Sequence, residues 1–259
     1  MKIGSSTSRN THMRVLAASL TIFLCCTGCA ESARSGLGAG SENPFWATPD
    51  AGASPRVLLV GWDGVRPDVL AEVPTPNFDA LAAAGTFSEK AVTARPTVSG
   101  PCWSSILTGV WPEKHGVLSN DFSPNEDGRY PDFLNRIESE SPELNTFAAA
   151  DWLPLVSEDA GGPLIGEGVD QKIILNGYVQ GWLKADSLAI EAALEELRTG
   201  DPHALFVYVG APDEISHGTR SIGERYRAAI ATADGHLGRL VEAIQGLSLI
   251  HISEPTRRH

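Results

Sequence analysis

TVSGPCWSSILTGVWPEKHG, Thr97 to Gly116, is the stretch from which the rest of the chain is read. It opens with hydroxyl residues and a Gly-Pro pair, runs into a short apolar segment that can be helical, and closes on TGxxPxxHG. Ser99 falls in the first turn of that helix. Backbone N–H groups there lack intrahelical partners and the helix dipole is positive, so an anion beside Ser99 is stabilised before any side chain acts. Alone, a Ser ahead of a helix is an ordinary cap. Two other segments change that reading. Upstream, VLLVGWDG (Val57 to Gly64) is a buried-strand run ending on Asp63. Downstream, ALFVYVGAPDEISHG (Ala204 to Gly218) repeats the arrangement and carries Asp213 and His217. Acid, hydroxyl and imidazole groups just past strand ends or at a helix start suit a metal site at the C-terminal edge of a parallel sheet.

Alternating elements surround these segments. Thr75-Pro76 starts a helix that ends at Gly85, with Pro at the first helical position. Phe87 to Thr93 is predicted as a second strand leading to the Ser99 turn, Tyr130 to Glu140 as a helix, and Thr146 to Ala150 as a strand ending at Asp151. Periodicity weakens from Trp152 to Gly181, where substrate-side loops are expected. A helix marked by Ile190, Ala193, Leu194 and Leu197 ends at Gly200, and the strand Ala204 to Val209 follows. The last helix starts at Ser221, which with Glu224 spells a capping box. Its buried stripe is Ile222, Tyr226, Ile230, Ala233, Leu237, Leu240 and Ile244, with His236 beside the stripe on the helix surface. Such alternation argues for an α/β fold, a mostly parallel sheet covered on both faces.

The 259 residues, 42% of them hydrophobic, suffice for a sizeable core. A formal charge of -12 argues against nucleic acid or an anionic membrane surface as a stable partner. An anionic substrate must then be attracted locally, which bound divalent cations would do. Of the four cysteines, Cys25, Cys26 and Cys29 crowd the N-terminus. Cys102 is left without a disulfide partner in the folded part and reads as a small buried apolar side chain.

Residues 1–28 read as an export signal: Lys2, Arg9 and Arg14 with no acid, then an apolar run from Val15 to Cys26 too short to span a membrane. Thr27-Gly28-Cys29 resembles the end of a bacterial lipobox. Cys29 would then carry lipid and anchor an envelope lipoprotein, the alternative being cleavage near Ala30 and a periplasmic or secreted protein. Residues 29–55, rich in Gly, Ser, Ala and Pro, form a flexible tether to a domain over 56–246. Residues 247–259 continue neither the stripe nor any motif and read as a foreign, adapter-like tail. The domain is therefore expected to be incomplete at its C-terminus and the 259-residue chain inactive on its own.

Taken together, DGxRPD (Asp63 to Asp68), TPNFDALAAAG (Thr75 to Gly85), PTxS (Pro96 to Ser99), TGxxPExHG (Thr108 to Gly116) and PDxxxHG (Pro212 to Gly218) resemble the alkaline phosphatase superfamily, most of all its nucleotide pyrophosphatase/phosphodiesterase branch. The resemblance covers roughly residues 56–246 and implies a three-layer α/β/α fold. It implies two divalent metals, zinc by the donor set, clamping a phosphate ester. Asp63 would bind the metal that also contacts Ser99, and Asp213 and His217 the other. Ser99 would be the nucleophile and form a phosphoseryl intermediate. His115 would be structural. The family's Asp-His pair and last His are expected in the reading frame beyond Gly246.

Two departures matter. The family commonly has Asn at the position of Cys102, where it steadies a phosphoryl oxygen, and a thiol is a weak donor. Ser99-Gly100-Pro101-Cys102 also fits the sulfatase pattern, but Trp103 stands where that pattern has Arg. A sulfatase or phosphonate hydrolase of the same superfamily is one alternative; a non-catalytic secreted binding protein is the other.

Overall fold

The computed structural model describes residues 19–24 and 56–253, apart from 89, 127 and 159–161. Cys29, the tether, the end of the tail and most of the expected leader lie outside the described residues.

Every strand pair is parallel, and the strands' residues explain why. β1 (Ser19–Leu24), β2 (Val57–Trp62), β3 (Thr146–Ala150), β4 (Gln171–Ile174) and β5 (Ala204–Val209) form one sheet in the order β1-β2-β5-β3-β4. β2, β3 and β5 are apolar on both faces and buried on both, as a sheet packed between helices requires. Alternate residues sort to opposite sides. Leu58, Val60 and Trp62 face a cluster built from α2 (Pro76–Ala84), α8 (Trp182–Thr199) and α10 (Glu224–Ser253). Leu59 faces another, built from α3 (Ser99–Thr108), α5 (Phe133–Glu140) and α6 (Leu153–Val156). The architecture is thus the expected α/β/α stack.

Several boundaries differ from the sequence reading, each for a physical reason. No strand forms among the described residues of Phe87 to Thr93. Phe87 stacks edge-on against Phe78, ring centroids 5.7 Å apart, and Val92 is 79% exposed, so this run has no sheet face to bury. β4 was not foreseen, because this edge strand is half-exposed and lacks a continuous apolar run. The expected capping box does not form: Ser221 Oγ accepts from Gly223 N–H at 3.0 Å, the helix begins at Glu224, and Ile222 lies outside the buried stripe at 37% exposed. The backbone of α10 runs on to Ser253, past the boundary expected at Gly246. β1, within the expected leader, pairs with the outer edge of β2. Among the described residues no helix is long and apolar enough to cross a membrane.

Candidate active site

The C-terminal ends of β2 and β5 are tied together, since the Asp63 N–H donates to the Val209 carbonyl at 3.0 Å. Asp63 is 4% exposed, and its Oδ2 accepts from the Tyr208 hydroxyl at 2.6 Å. Burial and the charge of Asp63 push the Tyr208 phenol well above its ordinary range, so it remains the donor. The chain then turns at Gly64, whose φ is +67°. A side chain there would overlap Asp213, so the bare glycine lets the two acids converge. Tyr226, near the start of α10, holds the same turn: its hydroxyl donates to Gly64 O at 2.7 Å and accepts from Arg66 N–H at 2.8 Å.

Asp213 lies in the first turn of α9 (Ala211–Thr219), a helix not foreseen although Pro212 marks its start. His217 follows one turn later on the same face, with Nε2 3.4 Å from Asp213 Oδ2. Burial, then the charge of Asp63, pushes the Asp213 carboxyl up to about 7, while His217 acts in the opposite sense. His217 is 73% exposed and therefore open to a ligand.

Ser99 is the first residue of α3 and is half-buried. The residue ahead of it, Val98, offers no side-chain cap. Instead the Gly100 N–H donates to Asn120 Oδ1 at 2.8 Å, and a side chain at Gly100 would overlap the Ser119 carbonyl. One turn further on, fully buried Trp103 stacks edge-on against Tyr208, ring centroids 5.1 Å apart, and covers Gly61 where a side chain would meet its ring. This packing sets the start of α3 over the same end of β2 and β5 that carries Asp63 and Asp213.

The other candidate side chains turn away from chemistry. His115 closes α4 (Pro112–His115) and is fully buried. Its Nδ1 accepts from Val117 N–H at 3.1 Å, which leaves Nε2 to donate to Ser105 Oγ at 3.0 Å, and burial lowers its pKa. His236 is buried at 8% exposed, not on the helix surface as expected. It lies ten residues, roughly 15 Å of helix, beyond Tyr226 and so far from the Gly64 turn. Cys102 is buried as expected, its thiol directed at Ala94 O at 3.7 Å. Sequence reasoning missed Tyr208 and Asn120, and placed Tyr226 in the buried stripe without its hold on the Gly64 turn. Tyr208 left a signal through its even-numbered register with Phe206 on the face that Trp103 covers.

Among the described residues no group of three or more His, Cys, Asp or Glu side chains could hold a metal ion. The donors that do meet are Asp213 with His217, and Asp63 beside Asp213 across Gly64. Their chemistry fits divalent zinc: carboxylate oxygen and imidazole nitrogen, with the repulsion of two buried carboxylates to be relieved by a cation.

A parallel sheet between helix layers, with acid, hydroxyl and imidazole groups at its C-terminal edge, is the layout of an alkaline phosphatase-like protein. Residues 57–153 match the family described as Type I phosphodiesterase / nucleotide pyrophosphatase. The human ectonucleotide pyrophosphatase/phosphodiesterase family member 5 is 26% identical over 204 residues, covering 75% of this chain and 42% of that protein. The solved structure of murine family member 5, an inactive form in complex with AMP, matches with a TM-score of 0.53 at 21% identity, covering 75% of this chain and 53% of that one. A putative sulfatase from Bacteroides fragilis shares the fold at a TM-score of 0.54 and 18% identity, covering 83% of this chain and 61% of that one. The chain thus spans about half the length of these relatives. Its fold is alkaline phosphatase-like, and over residues 57–153 it is similar to the nucleotide pyrophosphatase/phosphodiesterase branch.

Proposed function

We propose that the protein is a metal-dependent hydrolase of small phosphate esters, of the phosphodiesterase/nucleotide pyrophosphatase type, acting through a phosphoseryl intermediate. The observation that carries this reading is the meeting of Asp63 and Asp213 across the bare Gly64, with His217 beside them. Two divalent ions, zinc by the donor set, would be held by Asp63 with Ser99 and by Asp213 with His217. When bound, they neutralise the ester's charge and make a hydroxyl or a water nucleophilic at neutral pH. Ser99 Oγ then attacks phosphorus in line, forming an O–P bond as the ester's leaving oxygen departs with its electron pair. Water attack on the phosphoserine restores the hydroxyl. The start of α3 draws the remaining phosphoryl oxygens toward Ser99.

The AMP bound by the murine relative supports a nucleotide-like substrate. Trp103 speaks against the sulfatase alternative, because the position that needs Arg is filled by a fully buried indole. We further propose an exported protein anchored through lipid on Cys29. Mass spectrometry of the mature N-terminus tests this, and a free N-terminus near Ala30 would overturn it.

Two protein ligands per metal fall short of the usual three or so. Turnover is therefore measured with the reading frame carried past Gly246. Zinc-loaded parent protein is expected to hydrolyse bis(para-nitrophenyl) phosphate. Ser99→Ala should reduce turnover by at least about a thousandfold with zinc content mostly retained. A variant within about tenfold of the parent would sink the nucleophile assignment. Absence of both zinc and turnover in the parent would favour the non-catalytic binding protein.

A further inference from the structure

The start of α9 rests on two carboxyl groups that the proposed reaction does not use. Asp186 lies in α8 and is 2% exposed. Its Oδ1 accepts from Gly210 N–H at 2.9 Å, and both its oxygens lie 3.3 Å from Ala211 N as acceptors. These are N–H groups that a helix leaves without internal partners, and the carboxylate meets them at the positive end of the dipole. Asp151, at the end of β3, is fully buried, and neither of its carboxyl oxygens receives an N–H or O–H from the described residues. It faces Asp186. Burial and the Asp186 charge push the Asp151 pKa upward, while Asp151 in turn acts on Asp186 as a hydrogen-bond donor that favours the Asp186 carboxylate. A proton on Asp151 directed at Asp186 would relieve the repulsion between the two groups. Gly210 closes the arrangement: a Cβ there would lie 2.8 Å from the Trp182 ring and 2.9 Å from Asp151 Oδ1.

We propose that Asp186 is a positioning residue for the Asp213–His217 ligand pair, its carboxylate fixing the first turn of α9 while the Asp151 carboxyl donates to it from beneath. The proposal rests on the metal site described above. Asp213 sits two residues beyond the anchored Ala211 N–H, and His217 one turn further, so a loosened start of α9 displaces both donors.

Co2+ in place of zinc tests this, because its visible ligand-field bands report donor geometry, alongside hydrogen exchange at Gly210 and Ala211. Asp186→Ala is expected to weaken Co2+ binding by about tenfold or more, alter its bands and speed exchange at those two amides, with the β5 amides unchanged. Asp151→Asn keeps a permanent donor to Asp186 and should leave affinity within about threefold and the bands as in the parent. Should Asp186→Ala not fold, Asp186→Asn, which retains one acceptor oxygen, is expected to give an intermediate loss. Parent-like affinity and bands in the Asp186 variant that folds would overturn the proposal. So would an Asp151→Asn variant as impaired as Asp186→Ala. If the parent itself binds no Co2+, the metal reading fails, and exchange at Gly210 and Ala211 alone decides the anchor: faster exchange in the Asp186 variant supports it, unchanged exchange refutes it.

Discussion

Helices α3 and α9 are near twins, ten and nine residues long, and neither is capped by the side chain of its own N-cap residue. Each instead has its first N–H groups taken by a side chain from elsewhere in the chain. At α3 the acceptor is a neutral amide, Asn120. At α9 it is the buried carboxylate of Asp186. A neutral acceptor satisfies a backbone donor without cancelling the positive end of the dipole, so the α3 start keeps its attraction for phosphate. A carboxylate uses that attraction up. On the proposed reading, two helices of one geometry have opposite duties: α3 would receive an anion, and α9 would carry acid and imidazole toward a cation.

The comparison is broken most severely at Gly100. Gly100→Ala drives a methyl group into the Ser119 carbonyl, a backbone atom that cannot rotate away, and should cost about 3 kcal/mol in denaturant unfolding. A cost near zero would mean that the Ser119–Asn120 loop does not sit on α3. A smaller effect is expected from pH. Asp213 is held up to about 7 in the folded chain, against an unfolded value near the ordinary carboxylate range. A group that binds its proton more tightly when folded stabilises below its unfolded pKa, and that contribution fades as pH rises through the folded one. Metal-free protein should thus lose about 2 kcal/mol between about pH 5 and about pH 7, and Asp213→Asn should flatten the slope. A slope unchanged by that substitution would deny that burial and the Asp63 charge hold the Asp213 carboxyl up. The finest test makes one helix resemble the other. Asn120→Asp puts a negative charge at the α3 start and should weaken inorganic phosphate binding by about fivefold, near 1 kcal/mol by titration calorimetry. Unchanged affinity would mean that phosphate does not use this helix end.

What the sequence disclosed and what it hid divide along a physical line. Val57–Trp62, Thr146–Ala150 and Ala204–Val209 were legible because strands buried on both faces are written as unbroken apolar runs. Gln171–Ile174 was not, since an edge strand has no such constraint. Ser221 and Glu224 have the spacing of a cap, yet Ser221 spends its hydroxyl on Gly223 N–H, a local competition that spacing cannot reveal. Asp63, Ser99, Asp213 and His217 were picked out as candidates from motifs. Their supports were not: Asn120 holds Gly100 twenty residues away and Asp186 holds Gly210 across twenty-four. Partnerships of that kind exist only once the chain is folded.

The hydroxyl of Tyr226 reaches Arg66 and Gly64 across 160 and 162 residues of sequence. During synthesis, at roughly 5–20 residues per second, the turn after Asp63 therefore waits about ten seconds or longer for the tyrosine that shapes it. Throughout that interval the emerging chain carries Asp63 on a turn without its clamp, and the acid that faces it, Asp213, appears only shortly before Tyr226. On the proposed reading, a divalent ion met by a half-made chain would find one side of the site at most, and affinity would come late, when the last helix docks.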